Sequence, residues 1–228
     1  MLDFASYTSK GGQSENHDAF CYKKTGDALM LVLCDGGMDA LAAQRCAQSI
    51  NEKLLSGNTP RSAVCEAMDG VVDMGSRTIT VPVCAVDICA DTCKWANLGD
   101  VRLYHFSSGK VSQVSVDDTA AYQAWLSNKT DFAGIRMNPA RSVLTSPPDE
   151  NGGPVPHTGH VELSDGDAIL VCTDGFWQYV FETEMAIDLL KAEDAGYWLD
   201  QMLLRLISRS YMEGGHLTAC AILYTKDS

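Results

Sequence analysis

The sequence has no long hydrophobic run: no stretch of its 228 residues approaches the roughly 20 consecutive apolar residues that a membrane-spanning helix needs. The first residues, Met1-Leu2-Asp3-Phe4, also lack the basic start and the apolar run of a signal peptide. Linkers and low-complexity tracts are missing as well. We therefore expect no membrane partner, a cytoplasmic location and a single domain over residues 1–228.

Positive charge is scarce, with 17 Lys and Arg residues against 30 Asp and Glu residues, which gives a formal net charge of −13. This balance argues against a nucleic-acid partner, because binding a phosphate backbone needs clustered lysine and arginine. It suits a pocket that binds metal cations, although an acidic surface also keeps a protein soluble without any such site.

Paired cysteine motifs are missing too. The nine cysteines include no Cys-x-x-Cys pair, and no second pair with zinc-ligand spacing follows Cys89 and Cys93. Free cysteine commonly behaves as a small buried hydrophobic residue. We therefore predict reduced core cysteines rather than disulfides, metal ligands or nucleophiles. Those in apolar, strand-like runs are Cys34, Cys84, Cys89, Cys172 and Cys220.

Two apolar runs end in the same way, and the rest of the chain is organised around them. Leu31-Val32-Leu33-Cys34 leads into Asp35-Gly36-Gly37, and Ile169-Leu170-Val171-Cys172 leads through Thr173 into Asp174-Gly175. A short apolar run is typical of a strand buried on both faces, which would hold the aspartate at the edge of the core. The glycine permits a tight turn and a close approach by a ligand or metal. The two ends predict one acidic site, with two ordinary strand-to-turn exits as the alternative.

The remaining patterns alternate between strands and pairs of helices. Apolar residues at helical spacing predict helices at 38–55, from Thr59-Pro60 to about Gly75, at about 182–192 and at 195–210. This order predicts an α+β fold in which antiparallel sheets are covered by helices. Besides the two runs above, strands are predicted at 2–7, 19–22, 78–90, 94–98, 101–106, 110–116 and 217–224.

The segment from about Asn128 to His160 matches no regular pattern and holds five of the seven prolines. A long irregular segment inside a compact domain is often a functional loop, such as a lid or a docking surface. Disorder is the alternative that the composition leaves open.

Carboxylates at strand ends are suitable ligands for the divalent cations that assist phosphoester hydrolysis. Two cations held a few Å apart lower the pKa of a bridging water and stabilise charge on the transferring phosphoryl group. Magnesium and manganese favour the oxygen ligands that aspartate offers.

At this point the chain resembles the metal-dependent protein phosphatases of the protein phosphatase 2C-like (PPM) family, with motifs in the family's order over almost the whole chain. The resemblance implies a four-layer α-β-β-α sandwich, in which two central antiparallel sheets are flanked by helix pairs. The segments that carry it are Asn16-His17-Asp18-Ala19-Phe20, Cys34-Asp35-Gly36-Gly37-Met38, Asn97-Leu98-Gly99-Asp100-Val101-Arg102, Val143-Leu144-Thr145, Leu163-Ser164-Asp165-Gly166-Asp167, Cys172-Thr173-Asp174-Gly175-Phe176-Trp177 and Gly215-His216-Leu217-Thr218.

The resemblance implies a divalent-metal-dependent serine/threonine phosphatase. It would hydrolyse phosphoproteins with a metal-activated water, use Mn or Mg at a two-metal site, and act in signalling as a monomer. Asp35 would bridge the two metals with help from the Gly36 carbonyl, and Asp174 would hold the first metal. Asp18 would support the metal-bound water shell, and Asp100 matches an aspartate associated with a third metal site.

Three departures from the family's pattern fall on the implied site. The metal-binding glutamate is His17 here, the final metal-binding aspartate falls on Gly215 beside His216, and the phosphate-binding arginine falls on Gln13. Losing two carboxylates should weaken magnesium binding. Losing the arginine removes a bidentate phosphate clamp.

Other residues could make up for these losses. His17 and His216 could be ligands for manganese, iron or zinc, since imidazole suits softer divalent metals, or they could be ordinary polar residues. For the remaining candidates the favoured interpretation is a solvent-facing charge: these are Glu15 and Glu213 for the lost acids, and Arg136 and Arg141 for the phosphate clamp.

Two functions stay open on this basis, an active phosphatase and a pseudophosphatase that keeps the fold as a binding or regulatory module. The three departures motivate the second, because they fall on the site and spare the scaffold. The retained aspartates favour the first, because clustered carboxylates raise one another's pKa unless a cation compensates them. A separation of more than about 8 Å between the carboxylates of Asp35 and Asp174 would exclude a shared metal site.

Overall fold

Two antiparallel sheets of five strands form the centre of the computed structural model. The structure describes residues 1–37, 39–72, 81–145, 155–210 and 214–226. Within these ranges the strands are β1 (Leu2–Ser9), β2 (Ala19–Thr25), β3 (Ala28–Cys34), β4 (Val83–Cys89), β5 (Thr92–Leu98), β6 (Arg102–Ser107), β7 (Lys110–Gln113), β8 (His157–Glu162), β9 (Ala168–Cys172) and β10 (Leu217–Tyr224). The helices are α1 (Ala40–Leu55), α2 (Pro60–Val72), α3 (Ala120–Leu126), α4 (Asp174–Trp177), α5 (Glu182–Leu189) and α6 (Ala195–Ser210), with a 3₁₀ helix at Ala133–Met137.

The two strands that end in Asp-Gly lie in different sheets. One sheet has the strand order β2-β3-β4-β5-β8, and the other has the order β1-β10-β9-β6-β7. Neighbouring strands pair antiparallel in both sheets. A site that uses both Asp-Gly ends must therefore form where the two sheets meet.

Three apolar cores hold the layers together. The pair α1 and α2 packs on the β3 sheet around Ile50, and the two sheets pack on each other around Leu31 and Ile222. On the far side, α6 and the short α4 pack on the β9 sheet around Trp198. The layer order is α-β-β-α, so the four-layer α+β sandwich implied by the resemblance is confirmed.

Strand β3 explains why its sequence is a continuous apolar run. Leu31 and Leu33 belong to the core between the sheets, whereas Val32 and Cys34 belong to the core under α1. All four side chains are fully buried. A strand covered on both faces has no polar face to alternate with its apolar one.

The predicted long helices agree with the structure to within a few residues. The predictions at 38–55, 182–192 and 195–210 correspond to α1, α5 and α6. Helix α2 begins at Pro60 as predicted and is described to Val72. Its predicted extension to Gly75 lies outside the described residues, as do Met38, Pro147, Pro148, Pro154 and the first residues of the strand predicted from Thr78.

The sequence pattern does not predict helices α3 and α4, the 3₁₀ helix at Ala133–Met137 or strand β8. Helix α3 has only seven residues, which is too short to show a helical period, although Thr119 caps it by accepting a hydrogen bond from the Tyr122 amide at 3.2 Å. Strand β8 begins inside the segment that we predict to be irregular, so that prediction is wrong from His157 onwards. This edge strand contains Gly159, where a Cβ would come within 2.6 Å of the Trp95 ring. None of the helices in the described ranges is long and apolar enough to cross a membrane.

Replacing Leu31 by alanine is expected to lower the free energy of unfolding by about 2–5 kcal/mol, because Leu31 is fully buried between the sheets. Urea denaturation followed by circular dichroism measures the change. Leu204→Ala is the matched control, since Leu204 on α6 is 60% exposed, and its effect should stay within about 0.5 kcal/mol. Equal losses in the two variants would contradict the placement of Leu31 in the inter-sheet core.

Candidate active site

Four aspartates from separate parts of the chain meet at the junction of the two sheets. Asp35 follows β3, Asp174 begins α4, Asp100 lies in the turn between β5 and β6, and Asp18 precedes β2. The negative charges of Asp174, Asp18 and Asp100 all raise the pKa of Asp35, in that order of strength after burial. The structure thus brings together the four carboxylates that the sequence assigns to one site.

Asp35 and Asp174 are close enough for their side chains to share a hydrogen bond. Burial and the neighbouring carboxylates raise the pKa of Asp35 well above its usual value. Burial also raises the pKa of Asp174, and the positive charge of Arg141 partly opposes that rise. Carboxylates in such contact lie closer together than the limit of about 8 Å beyond which Asp35 and Asp174 could not share a metal site.

Asp18 is held by two threonine hydroxyls that the sequence analysis does not assign to the site. Thr173 and Thr218 donate hydrogen bonds to its Oδ2 at 2.9 and 2.8 Å. The other oxygen, Oδ1, is buried without a hydrogen-bond partner. Burial raises the pKa of Asp18 to about 6, although the two hydroxyls oppose the rise. Both threonines lie inside the quoted motifs, directly before Asp174 and two residues after His216, which is the signal that could have identified them.

Asp100 is fixed through its backbone. The indole Nε1 of Trp177 donates to the Asp100 carbonyl at 2.9 Å, and the guanidinium of Arg102 lies 3.6 Å from the centre of a Trp177 ring. Arg102 is itself buried and makes a bidentate ion pair with Asp117. Burial and the charge of Asp174 hold the pKa of Asp100 well above its usual value.

Each Asp-Gly glycine is required by a close backbone contact. A Cβ on Gly36 would collide with the carbonyl oxygen of His17, and a Cβ on Gly175 would collide with that of His216. These contacts draw the loop before β2 onto the end of β3, and the start of β10 onto α4. The close approach predicted at the glycines is therefore made by the chain itself.

Three of the four carboxylates open into a cavity of about 390 Å³. Its acidic side is formed by Asp35, Asp100 and Asp174, and Asp39 contributes a fourth carboxylate. The cavity is open to solvent, which suits a substrate that arrives on another protein. The remaining lining residues are Gly36, Gly37, Val81, Pro82, Ser142, Leu144, Gly215 and His216.

His17 and His216 form a stacked pair beside the cavity, with ring centroids 4.4 Å apart. The His17 amide donates to Nδ1 of His216 at 3.3 Å, and Nδ1 of His17 lies 2.8 Å from the Gly37 carbonyl. Burial and the neighbouring His17 lower the pKa of His216. In each ring the Nδ1 atom is thus occupied by the backbone, so only the Nε2 atoms could bind a metal.

The other substitute residues have different positions. Gly215 lines the cavity where the family's final aspartate is expected, while Gln13 and Glu15 are exposed on the loop before β2. Glu213 lies outside the described residues.

The prediction that Arg136 faces solvent is wrong. Arg136 is 4% exposed, forms an ion pair with Glu182 at 2.5 Å and donates to the Val180 carbonyl at 3.2 Å. Arg141 is half-buried, and its Nη2 donates to Oε1 of Gln178 at 2.9 Å. Sequence patterns did not indicate these contacts, because the partners lie far along the chain, Glu182 at the start of α5 and Gln178 directly after α4.

The donors at this site fit a divalent cation in chemical type. They are carboxylate oxygens, which magnesium and manganese prefer, and the unpartnered Oδ1 of Asp18 adds an unsatisfied acceptor nearby. Within the described ranges, however, no group of three or more His, Cys, Asp and Glu residues is arranged as a ready-made metal site. The residues therefore fit a cation held by Asp35 and Asp174 and completed by water, which is a common arrangement for magnesium.

The chain is similar in structure to several bacterial phosphatases. A bacterial serine phosphatase superposes with a TM-score of 0.84 at 18% identity, over 100% of both chains. Stp1 of Staphylococcus aureus gives 0.82 at 18% identity, over 99% of this chain and 96% of that one. The catalytic domain of the phosphatase PstP, in complex with two manganese ions, gives 0.75 at 16% identity, over 99% of each chain. The sequence matches no protein-family model and no curated protein significantly.

At these identities the likeness establishes the fold. The chain has the fold of the PPM serine/threonine phosphatases, as the sequence motifs predicted. The match extends over the full length of both chains in the first of these comparisons.

In metal-free protein, the free energy of unfolding should fall as the pH rises from about 4 to about 8. The pKa values of Asp18 and Asp35 are higher in the folded chain than in the unfolded chain, where a carboxyl titrates near about 3.9. The folded state therefore binds more protons than the unfolded state. The contribution of these two carboxyl groups to the free energy of unfolding is fully present below about pH 4 and is lost as the pH rises through their folded pKa values.

The variant Asp35→Asn tests this pH dependence, because its amide can donate a hydrogen bond to Asp174 but carries no charge. In buffer with chelator, the variant should exceed the parent by about 1–3 kcal/mol at pH 8 and match it near pH 4. Urea denaturation at each pH measures the difference. Asp91→Asn is the control, since Asp91 is exposed in the turn between β4 and β5 and should show no such pH-dependent gain. A variant less stable than the parent at pH 8 would contradict the charge crowding.

Proposed function

We propose that this protein is a divalent-metal-dependent serine/threonine phosphoprotein phosphatase that uses a metal-activated water. The observation that carries the proposal is the convergence of Asp35, Asp174 and Asp100 on one open cavity at the junction of the sheets, with the buried carboxylate of Asp18 close to Asp35. The fold supports it, since the similar structures are serine/threonine phosphatases and one of them is a complex with two manganese ions.

A bound divalent cation would supply a water of lowered pKa and would neutralise charge on the transferring phosphoryl group. Asp35 and Asp174 would hold it, with the Gly36 carbonyl as a further oxygen donor. Asp18 would accept a hydrogen bond from water at its unpartnered Oδ1, while Thr173 and Thr218 fix its other oxygen. The carboxylate oxygens of Asp35, Asp174 and Asp18 would thus act as fixed hydrogen-bond acceptors around the reacting group, in place of bulk water.

Asp100 has a separate part in this proposal. It lines the cavity beside Asp174, and its backbone is fixed by Trp177, so it is a suitable ligand for an additional cation at high metal concentration. We propose a single domain over residues 1–228, a monomeric state and a cytoplasmic location for this activity, with phosphorylated proteins as partners.

A pseudophosphatase is the second candidate function, and one observation favours it. Gly215 lines the cavity where an acid is expected, and both Nδ1 atoms of the pair His17 and His216 are occupied by the backbone. The site therefore has fewer free ligands than the family pattern. Under this alternative the cavity would bind a phosphorylated partner without hydrolysing it.

Hydrolysis of p-nitrophenyl phosphate with manganese, magnesium, zinc or chelator separates the two. The enzyme is expected to turn over only with a divalent metal, and Asp35→Asn should lose at least about 100-fold in kcat, because it removes a charged ligand of the activating cation. Asp91→Asn, which changes the same charge on the exposed surface, should keep the parent's activity. Equal rates in the parent and Asp35→Asn with every metal would refute the enzyme and favour the pseudophosphatase.

A further inference from the structure

The cavity presents a problem for a phosphate monoester. Among the described residues that line it, the acidic ones are Asp35, Asp39, Asp100 and Asp174, and no lysine or arginine is present. The arginine that would clamp the phosphate is replaced by Gln13, which is exposed on the loop before β2. A dianion that enters therefore meets like charge, which only a bound cation and a further positive group can offset.

Arg141 lies beside the cavity on a well-fixed segment. Its amide donates to the Asn138 carbonyl at 3.0 Å, and the Val143 carbonyl accepts from Ala120 at 2.9 Å. The neighbours Ser142 and Leu144 both line the cavity. The backbone on either side of Arg141 is thus anchored, with this residue next to the cavity wall.

The guanidinium of Arg141 is held near Asp174 by Gln178. Asp174 is the first residue of α4 and Gln178 follows its last residue, so these two side chains, four residues apart, lie on the same face of the turn. Nη2 of Arg141 donates to Oε1 of Gln178 at 2.9 Å, and its charge acts on Asp174. The Nε atom is buried and has no hydrogen-bond partner. A positively charged group with an unused hydrogen-bond donor therefore lies beside Asp174, one of the carboxylates that line the cavity.

The other two arginines of this region have partners of their own. Arg102 is bound bidentately by Asp117 and donates to the Tyr104 hydroxyl, and Arg136 is paired with Glu182. Among the described residues, Arg141 donates a side-chain hydrogen bond only to the neutral amide of Gln178, so its donors are more easily redirected to an incoming anion than those of the two paired arginines.

We propose that Arg141 is the phosphate-binding residue of this site, in place of the arginine that is missing at Gln13. Its guanidinium donates to the non-bridging oxygens of the phosphate monoester, and Gln178 orients it between turnovers. The proposal rests on the proposed function for its substrate class, a phosphorylated side chain. It comes from a different part of the chain than the clamp it replaces.

Three variants test the assignment. Arg141→Gln removes the charge, Arg141→Lys keeps the charge but loses the planar fork, and Arg61→Gln makes the same charge change at an exposed position on α2. Inorganic phosphate is titrated calorimetrically into each protein at saturating magnesium. Manganese affinity is measured separately by electron paramagnetic resonance, and KM and kcat are measured with p-nitrophenyl phosphate.

Arg141→Gln should weaken phosphate binding about 10-fold or more and raise KM, because charge-assisted hydrogen bonds to the anion are lost. Manganese binding should tighten or stay unchanged, since a positive charge next to Asp174 has been removed. Arg141→Lys should fall between the parent and Arg141→Gln. Arg61→Gln should match the parent in every measurement.

The phosphate and manganese affinities together separate a phosphate-binding role of Arg141 from a positioning role. If Arg141→Gln weakened manganese and phosphate binding together, Arg141 would be a positioning residue for Asp174, and the proposal would be overturned. Phosphate binding equal to that of Arg61→Gln, or no phosphate binding by the parent, would also overturn it. Phosphate binding that depends on Arg141 in a protein without turnover would sustain this proposal and refute the proposed enzyme.

Discussion

The repulsion between the carboxylates of Asp35 and Asp174 is the constraint around which the structure is arranged. Burial and the charge of Asp174 raise the pKa of Asp35, because two like charges this close together in a buried site repel each other. The fold tolerates this cost because each acid is placed by an element that is stable for other reasons: β3 is covered on both faces, and α4 is anchored through Trp177. A bound cation would remove the repulsion between these carboxylates, so the same arrangement favours cation binding.

The scaffold that resists this repulsion is itself partly ionic. Arg102 and Asp117 form a buried bidentate pair, the Arg102 guanidinium stacks on Trp177, and Trp177 donates to the Asp100 carbonyl. Losing one partner of such a pair costs about 3–5 kcal/mol, because the other charge stays buried without compensation. The same network reaches Glu182 through Tyr104, and so links the β9 sheet to the start of α5. The position of Asp100 in the cavity wall is therefore fixed by side chains that do not themselves line the cavity.

Sequence patterns predicted the parts of the fold in which local preference and tertiary burial agree. The Asp-Gly ends of β3 and β9, the long helices and the closing strand follow from apolar periodicity alone. Strand β8 and the burial of Arg136 do not, because one is an edge strand around Gly159 and the other depends on Glu182, which is distant in sequence. Thr173 and Thr218 were visible in the motifs, but their role needs the register that places both hydroxyls on Asp18. The metal ligands and the single domain over residues 1–228 stay predictions.

The three departures from the family pattern change the charge of the site in opposite directions. His17 and Gly215 each remove a negative charge, Gln13 removes a positive one, and burial lowers the pKa of the neighbouring His216. The site should therefore bind a cation more weakly than a site with the full set of acids, and repel an anion less. With fewer carboxylates around it, one arginine beside Asp174 has a larger effect on an incoming phosphate than it would in the full acidic set. Loss of the original arginine and loss of two acids are thus compatible changes. With two carboxylates fewer, the site repels a phosphate less and needs less positive charge to bind it.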